Sequence, residues 1–259
     1  MIKIRGVGKP LRLITKALGG RRICAICDAR VAAWIPHSLV LLQPPLLKHL
    51  AVVGSDLKNY ACPICGSFDR ERHLALYFRA TDFFEKHVSG KDILHFAAET
   101  HLASLILANR PRRYVKANLH PEASDVERID MQAIPYGDQT FDLVLANHVL
   151  EHVADDHLGL AEIHRILRVG GVAVLQTPFS SKLRATLDDP GIDTDYLRTQ
   201  LFGQADHLRL YGRDIVERIT SHGFVAVNQR HEEALGAFDA AKFGVPSAEP
   251  FMLFQKAFG

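Results

Sequence analysis

From Asp92 onward, short apolar runs alternate with amphipathic stretches, and this alternation limits the possible folds more than any other feature of the chain. Strand-like runs fall at about 92–96, 114–118, 126–129, 141–146, 171–177, 224–229 and 250–256, with helical patterns between most of them. The clearest helix is "DDHLGLAEIHRILRVGG". Leu160, Ile163 and Leu167 share one face, Asp155 or Asp156 can cap the start, and Gly170-Gly171 stops it. A second helix is expected over 214–222, ended by Gly223. The alternation predicts an α/β fold with a doubly wound sheet and any ligand at the carboxyl ends of its central strands.

Composition narrows the class. The chain has 259 residues, 47% hydrophobic and 23% charged, enough for a packed domain and a small second module. A net charge of +2 does not by itself argue for nucleic acid. The charge is uneven, however: seven Lys or Arg residues and no acid precede Asp28. This arm, residues 1–22, can touch phosphates or an anionic membrane surface, or can simply be a solvated terminus. Pro44-Pro45 and Lys48 interrupt the longest apolar stretch, "SLVLLQPPLLKHLAVVG", so no transmembrane segment is expected. No apolar signal region opens the chain, and a cytoplasmic protein is expected.

All four cysteines fall in two C-x-x-C pairs, Cys24/Cys27 and Cys62/Cys65, with 34 residues between the pairs. A two-residue gap lets both thiolates of a turn face one ion, and two such turns complete a tetrahedral site. Gly66 follows the second pair, where a knuckle often needs a left-handed residue. The pattern predicts a structural Zn2+ in a small zinc-ribbon module, residues 23–72. A redox pair fits less well, because that motif opens a helix in a βαβ unit and here there are two pairs.

The segment "IDMQAIPYGDQTFDLVLANHVLEHVADDHLGLAEIHRILRVGGVAVLQTPF" resembles the central part of class I S-adenosylmethionine (SAM)-dependent methyltransferases of the type 11 group, and the resemblance covers residues 90–257. It implies a seven-stranded mixed sheet whose last strand is antiparallel, in a SAM-dependent domain spanning 73–259. It also implies a substrate-covering insert at about 178–213. A dinucleotide-binding domain is disfavoured, since G-x-G-x-x-G is absent.

The resemblance implies cofactor contacts at His95, Phe96, Ala97, Glu99, Asn118, Asp130, Met131, Asn147 and His148. In the family the first strand ends in an acid and a glycine-rich turn. Here His95 takes the acidic position and Phe96-Ala97-Ala98-Glu99 replaces the glycines, so positive φ is costly. Glu99 is the candidate to replace the lost carboxylate; it can instead pair with His95 or serve the helix dipole. Asn118 replaces the acid expected at the ribose and offers neutral hydrogen bonds only. Asp130 and Met131 match the adenine loop.

In "NHVLEH", His148 and His152 are the candidates for general base, and Asn147 and His148 for the methionine pocket. The H-x-x-E-H order resembles a zinc-protease pattern, but those enzymes need a third ligand in a long helical context, and here a strand of the methyltransferase-like pattern precedes it. His207, Arg209 and Tyr211 alternate along an extended segment that suits an anionic or hydroxylated substrate or, equally, a salt-bridged lid, and His152 is a further substrate candidate. The expected activity is methyl transfer to an O or N acceptor on a small molecule or glycan. Two alternatives stay open. One is an RNA substrate, suggested by the ribbon and the basic arm. The other is a non-catalytic binding or scaffold protein, suggested by the missing glycines.

Overall fold

The computed structural model describes residues 20–41 and 43–257, so the basic arm, apart from its last three residues, lies outside the described residues. Two short strands, β1 (Arg22–Ile23) and β2 (Arg30–Val31), form an antiparallel hairpin around the first cysteine pair. Helix α1 (Pro45–His49) and strand β3 (Val52–Val53) follow. Helices α2 (Asp69–Ala80) and α3 (Phe83–His87) lead into the alternating region. Its parts are β4 (Asp92–Phe96), α4 (Thr100–Ala108), β5 (Arg113–Asn118), β6 (Glu127–Arg128), β7 (Phe141–Asn147), α5 (Asp156–Ile166) and β8 (Leu167–Gln176). After these come β9 (Phe179–Ser180), α6 (Asp195–Phe202), α7 (Ile215–Thr220), β10 (Phe224–Ala226), α8 (His231–Leu235), α9 (Ala240–Phe243) and β11 (Leu253–Lys256).

The main sheet runs β10-β11-β8-β7-β4-β5-β6. Strands β4 to β8 pair in parallel, and β11 lies antiparallel to both neighbours, as the family resemblance implied. Every residue of β4 is buried, because helices cover both faces of the sheet. The alternation of the strands sorts the core into two layers. Leu94, Phe96, Val144 and Ala146 pack against Leu160 and Ile163 of α5 and Ile215 of α7. Ile93, Leu143, Leu145 and Val174 pack against Leu74 and Phe78 of α2 and Leu102 and Ile106 of α4. One boundary differs from expectation: β8 starts at Leu167, not Gly171. Leu167 pairs with Phe141 before a bulge, so the strand begins as soon as the helix stops.

The residues between the two cysteine pairs do not loop into solvent. Strand β3 pairs with β9 (Val52 with Ser180, Val53 with Phe179). Leu47 joins Phe202 and Leu210 in a separate apolar cluster. This excursion and the insert after β8 therefore form one cover. It lies on the carboxyl-end side of the sheet, where β8 leads directly into β9.

The boundary expected at residue 72 falls inside α2. Arg72 is fully buried and donates to the carbonyls of Asn59, Tyr60, Ser67, Phe243 and Gly244, while its guanidinium lies 4.1 Å from the Trp34 ring centroid. One side chain thus joins the cysteine module, α2 and the loop after α9. Arg72→Met leaves these carbonyls without a donor. It is expected to lower stability by about 3–5 kcal/mol in urea unfolding, with Arg72→Lys restoring only part because it lacks the planar fork.

Candidate functional site

Five parallel strands, β4 to β8, end on one side of the sheet, and most of the candidate polar residues gather there. After β4 the chain turns sharply at Ala97, which adopts φ +48° and donates its N–H to the Ala117 carbonyl at 2.8 Å. The left-handed step usual for glycine is therefore kept by an alanine, at a strain of about 1–2 kcal/mol. His148, just beyond β7, also has positive φ, +54°. Two neighbouring strands thus end in strained residues, a feature that concentrates at functional sites.

Glu99 is the centre of the first cluster. Its carboxylate accepts from Asn147 Nδ2 at 2.6 Å, lies 3.3 Å from His95 Nε2, and faces Arg70 Nε of α2 at 3.7 Å. Burial pushes its pKa up, but His95 and Arg70 pull it down further, so it is held below the usual carboxylate range. Both the His95–Glu99 pairing and a carboxylate at this position are therefore present. His95 itself is buried beneath the crevice, with Nδ1 2.8 Å from the Tyr114 hydroxyl. Phe96 is a core residue. Their strand positions point them into the layers above and below the sheet, away from the ligand side. Buried polar atoms nonetheless lack hydrogen-bond partners here: Arg70 Nε, Glu99 Oε2 and Asn147 Oδ1. A cation donor beside carboxylate and amide acceptors fits an amino-acid zwitterion.

The nucleoside candidates are in a different condition. Asn118 Oδ1 accepts from the His120 N–H at 2.9 Å, and Asp130 Oδ1 accepts from the Gln132 N–H at 2.9 Å. Both side chains brace their own turns and keep one further polar group. Met131 is buried in the core, where a Cβ on Gly159 would come within 3.2 Å of its Cγ. A cleft of about 490 Å³, lined by Ala98, Thr100, Lys116 and Asn118 among others, lies beside them. One of about 590 Å³, lined by Phe78, Arg79 and Asn109 among others, opens at the amino ends of the strands, away from this chemistry.

The second cluster is a buried line of histidines and carboxylates. His231 Nδ1 lies 2.9 Å from His73 Nε2, and His73 Nδ1 3.0 Å from Glu249 Oε2. His148 sits between Glu249 (3.7 Å) and Glu151 (3.5 Å), and Thr177 Oγ1 donates to Glu151 at 3.0 Å. Burial pushes His148 down, but its two carboxylate neighbours push it up to about 9. That pairing favours the protonated ring, held between two carboxylates. Glu151 is pushed up by burial and pulled down more strongly by His148, to about 2. His152 is half-exposed, with Nδ1 3.1 Å from the Asp206 carbonyl.

One comparison bears on this architecture: residues 89–175, from before β4 into β8, match the family described as a methyltransferase domain. Among curated proteins, an "Uncharacterized 37.1 kDa protein in transposon TN4556" of Streptomyces fradiae is 31% identical over 128 residues, covering 49% of this chain and 31% of that protein. The chain thus spans under a third of that relative's length. Among solved structures, an S-adenosylmethionine dependent methyltransferase from Mesorhizobium loti shares 13% identity at a TM-score of 0.47, covering 70% of this chain and 96% of that one. The 1,6-didemethyltoxoflavin-N1-methyltransferase of Burkholderia thailandensis shares 16% identity at a TM-score of 0.48, covering 71% and 79%.

Beside the methyltransferase domain, the four cysteines meet. Their sulfurs lie within 4.8 Å of one another, with Cys24–Cys65 at 3.8 Å and Cys27–Cys62 at 4.0 Å. Metal–sulfur bonds of about 2.3 Å at tetrahedral angles place sulfurs about 3.8 Å apart, so the arrangement fits a closed four-thiolate site. His101 of α4 spans the gap to it, with Nε2 3.1 Å from the Cys65 carbonyl and Nδ1 3.0 Å from Glu71.

The expected row of substrate-facing residues on the insert gives way to a different role. His207, Arg209 and Tyr211 are all buried. Arg209 donates to the carbonyls of Leu150, Val153 and Ala154, and the Tyr211 hydroxyl donates to Asp156 at 2.8 Å. The alternation places them on the inner face of the cover, where they clamp the turn after β7. Arg70, His73 and Glu249 were not legible as site residues. They come from a helix before the sheet and a loop before its last strand, and only folding brings them to β7. Arg209→Ala is expected to cost about 3–5 kcal/mol of stability by thermal unfolding, because the carbonyls of Leu150, Val153 and Ala154 lose their donor. An unchanged melting temperature with altered substrate affinity alone would restore the substrate-facing reading.

Proposed function

We propose that the protein is a SAM-dependent methyltransferase acting on an O or N acceptor of a small molecule or glycan. The observation that carries the reading is the Arg70–Glu99–Asn147 cluster, with its unpartnered polar atoms at the carboxyl ends of β4 and β7 in a domain of this family. In this reading Arg70 takes the carboxylate of the methionine part of SAM and Glu99 its ammonium group, while His95 holds Glu99 ionised. Ala97 brings the backbone close, and His148 with Asn147 walls the pocket. Asn118 offers its free amide to the ribose, and Asp130 and Met131 frame the adenine. Bound SAM supplies a methyl group activated on a sulfonium. The chain's part is alignment and exclusion of water by the cover made of β3, β9 and the insert. His152 lies at the rim of this crevice.

We also propose zinc for the four cysteines, whose thiols and spacing suit it, and a reducing, cytoplasmic setting in which they stay free of disulfides. Among the described residues no helix is long and apolar enough to cross a membrane. A small acceptor is preferred to RNA because no aromatic-basic interleaving provides base stacking.

Two measurements test these readings. Calorimetry is expected to show SAM or its demethylated product binding, weakened about tenfold or more in Glu99→Ala and less in Asp130→Ala, since the first loses a charge-assisted contact. No heat at millimolar cofactor would leave a non-catalytic scaffold instead. Elemental analysis is expected to find zinc, with about one equivalent lost in Cys62→Ser. Unchanged zinc in that variant would refute the four-cysteine assignment.

A further inference from the structure

We propose that Glu151, His152 and His207 form a second metal site, for a divalent transition-metal ion, separate from the cysteine cluster. One ligand atom of each lies within 4.8 Å of the others. The sequence holds H-x-x-E-H without a visible third ligand, and folding supplies it: His207, 55 positions beyond His152, is brought against it by the cover. The two rings meet edge to face with centroids 4.7 Å apart.

The hydrogen bonds set both histidines for coordination. His207 Nδ1 lies 2.9 Å from the Phe202 carbonyl, and His152 Nδ1 3.1 Å from the Asp206 carbonyl. A carbonyl only accepts, so each Nδ1 carries the proton and each Nε2 keeps its lone pair. This is how metal-bound histidines are oriented by the groups behind them. His207 is 4% exposed, and its Nε2 is buried with no hydrogen-bond partner. Glu151 is 1% exposed; Oε2 is held by Thr177, and Oε1 has no hydrogen-bond partner, with His148 at ion-pair range. His207 Nε2, buried without a partner, needs a ligand or a cost of about 1–3 kcal/mol. A cation held between it, His152 and Glu151 satisfies it, and Glu151 Oε1, which otherwise meets only His148, is the carboxylate donor.

The donor set names the ion class. Two imidazoles and one carboxylate suit zinc, cobalt, nickel or iron(II) over calcium or magnesium. Bonds of about 2.0–2.2 Å require the ligand atoms to draw in to about 3–3.5 Å, within reach of His152, which is half-exposed and opens a path for entry. Three protein ligands leave coordination positions open, so an oxygen donor of the acceptor can bind there. The inference does not depend on SAM binding.

The test uses full-length protein with its cysteine cluster zinc-loaded, titrated with Co2+ and followed by calorimetry and visible absorption. One Co2+ per chain beyond the zinc is expected, without thiolate charge-transfer absorption. His152→Ala, a half-exposed position, is expected to weaken it at least about tenfold, and His207→Gln likewise. No binding at millimolar Co2+ overturns the proposal. So does binding that His152→Ala leaves unchanged, and this variant decides the matter even if His207→Gln does not fold.

Discussion

Glu249 holds the site side of this molecule together. It is buried, with one carboxylate oxygen 3.0 Å from His73 of α2 and the other accepting from Gln176 at the end of β8 at 3.1 Å. His148, beyond β7, stands at 3.7 Å, and the Glu249 carbonyl accepts from Tyr77. Burial pushes the carboxyl up, and the two histidines pull it well below the usual carboxylate range. A buried charge of this kind is tolerated only when its partners are fixed, and fixing them fixes α2, β7, β8 and the approach to β11 together. The crevice floor is rigid for that reason.

The same economy links the two parts of the chain. Arg72 and His73 are consecutive on α2, yet one faces the cysteine module and the other the methyltransferase domain. A single helix therefore transmits the position of the module to the site. The excursion between the cysteine pairs adds a second link through β3 and β9. The module therefore contributes contacts both to α2 and to the cover.

The glycine-free loop shows how a departure from family pattern is absorbed. Ala97 accepts the left-handed step, and Glu99 places a carboxylate where the strand end no longer provides one. His95, in the position of the lost acid, keeps Glu99 ionised from below. The strain at Ala97 and His148 is sustained by the parallel pairing of β4 and β7, which leaves neither strand end free to relax.

The sequence by itself determined the strand order's raw material. Periodicity located the seven strands of the main sheet to within a few residues; the central β4 and β7 are almost wholly buried and so mostly apolar, whereas the edge strand β6 is exposed and charged. The two C-x-x-C pairs located the four-cysteine cluster, because short spacing alone brings paired thiols together. The resemblance drew attention to Glu99, Asn147 and His148, which lie at strand ends whose position follows from local pattern. Tertiary structure decided the rest. Arg70, His73 and Glu249 look like ordinary surface residues in sequence, and their contacts arise across long separations in the chain. Arg209 and Tyr211 show the converse: alternation correctly put them on one face, but which face became the interior depended on β3 closing over the insert. Local chemistry sets which residue types and periods a segment carries; only packing sets which of them share a dry space, and the charges forced to share it make the site.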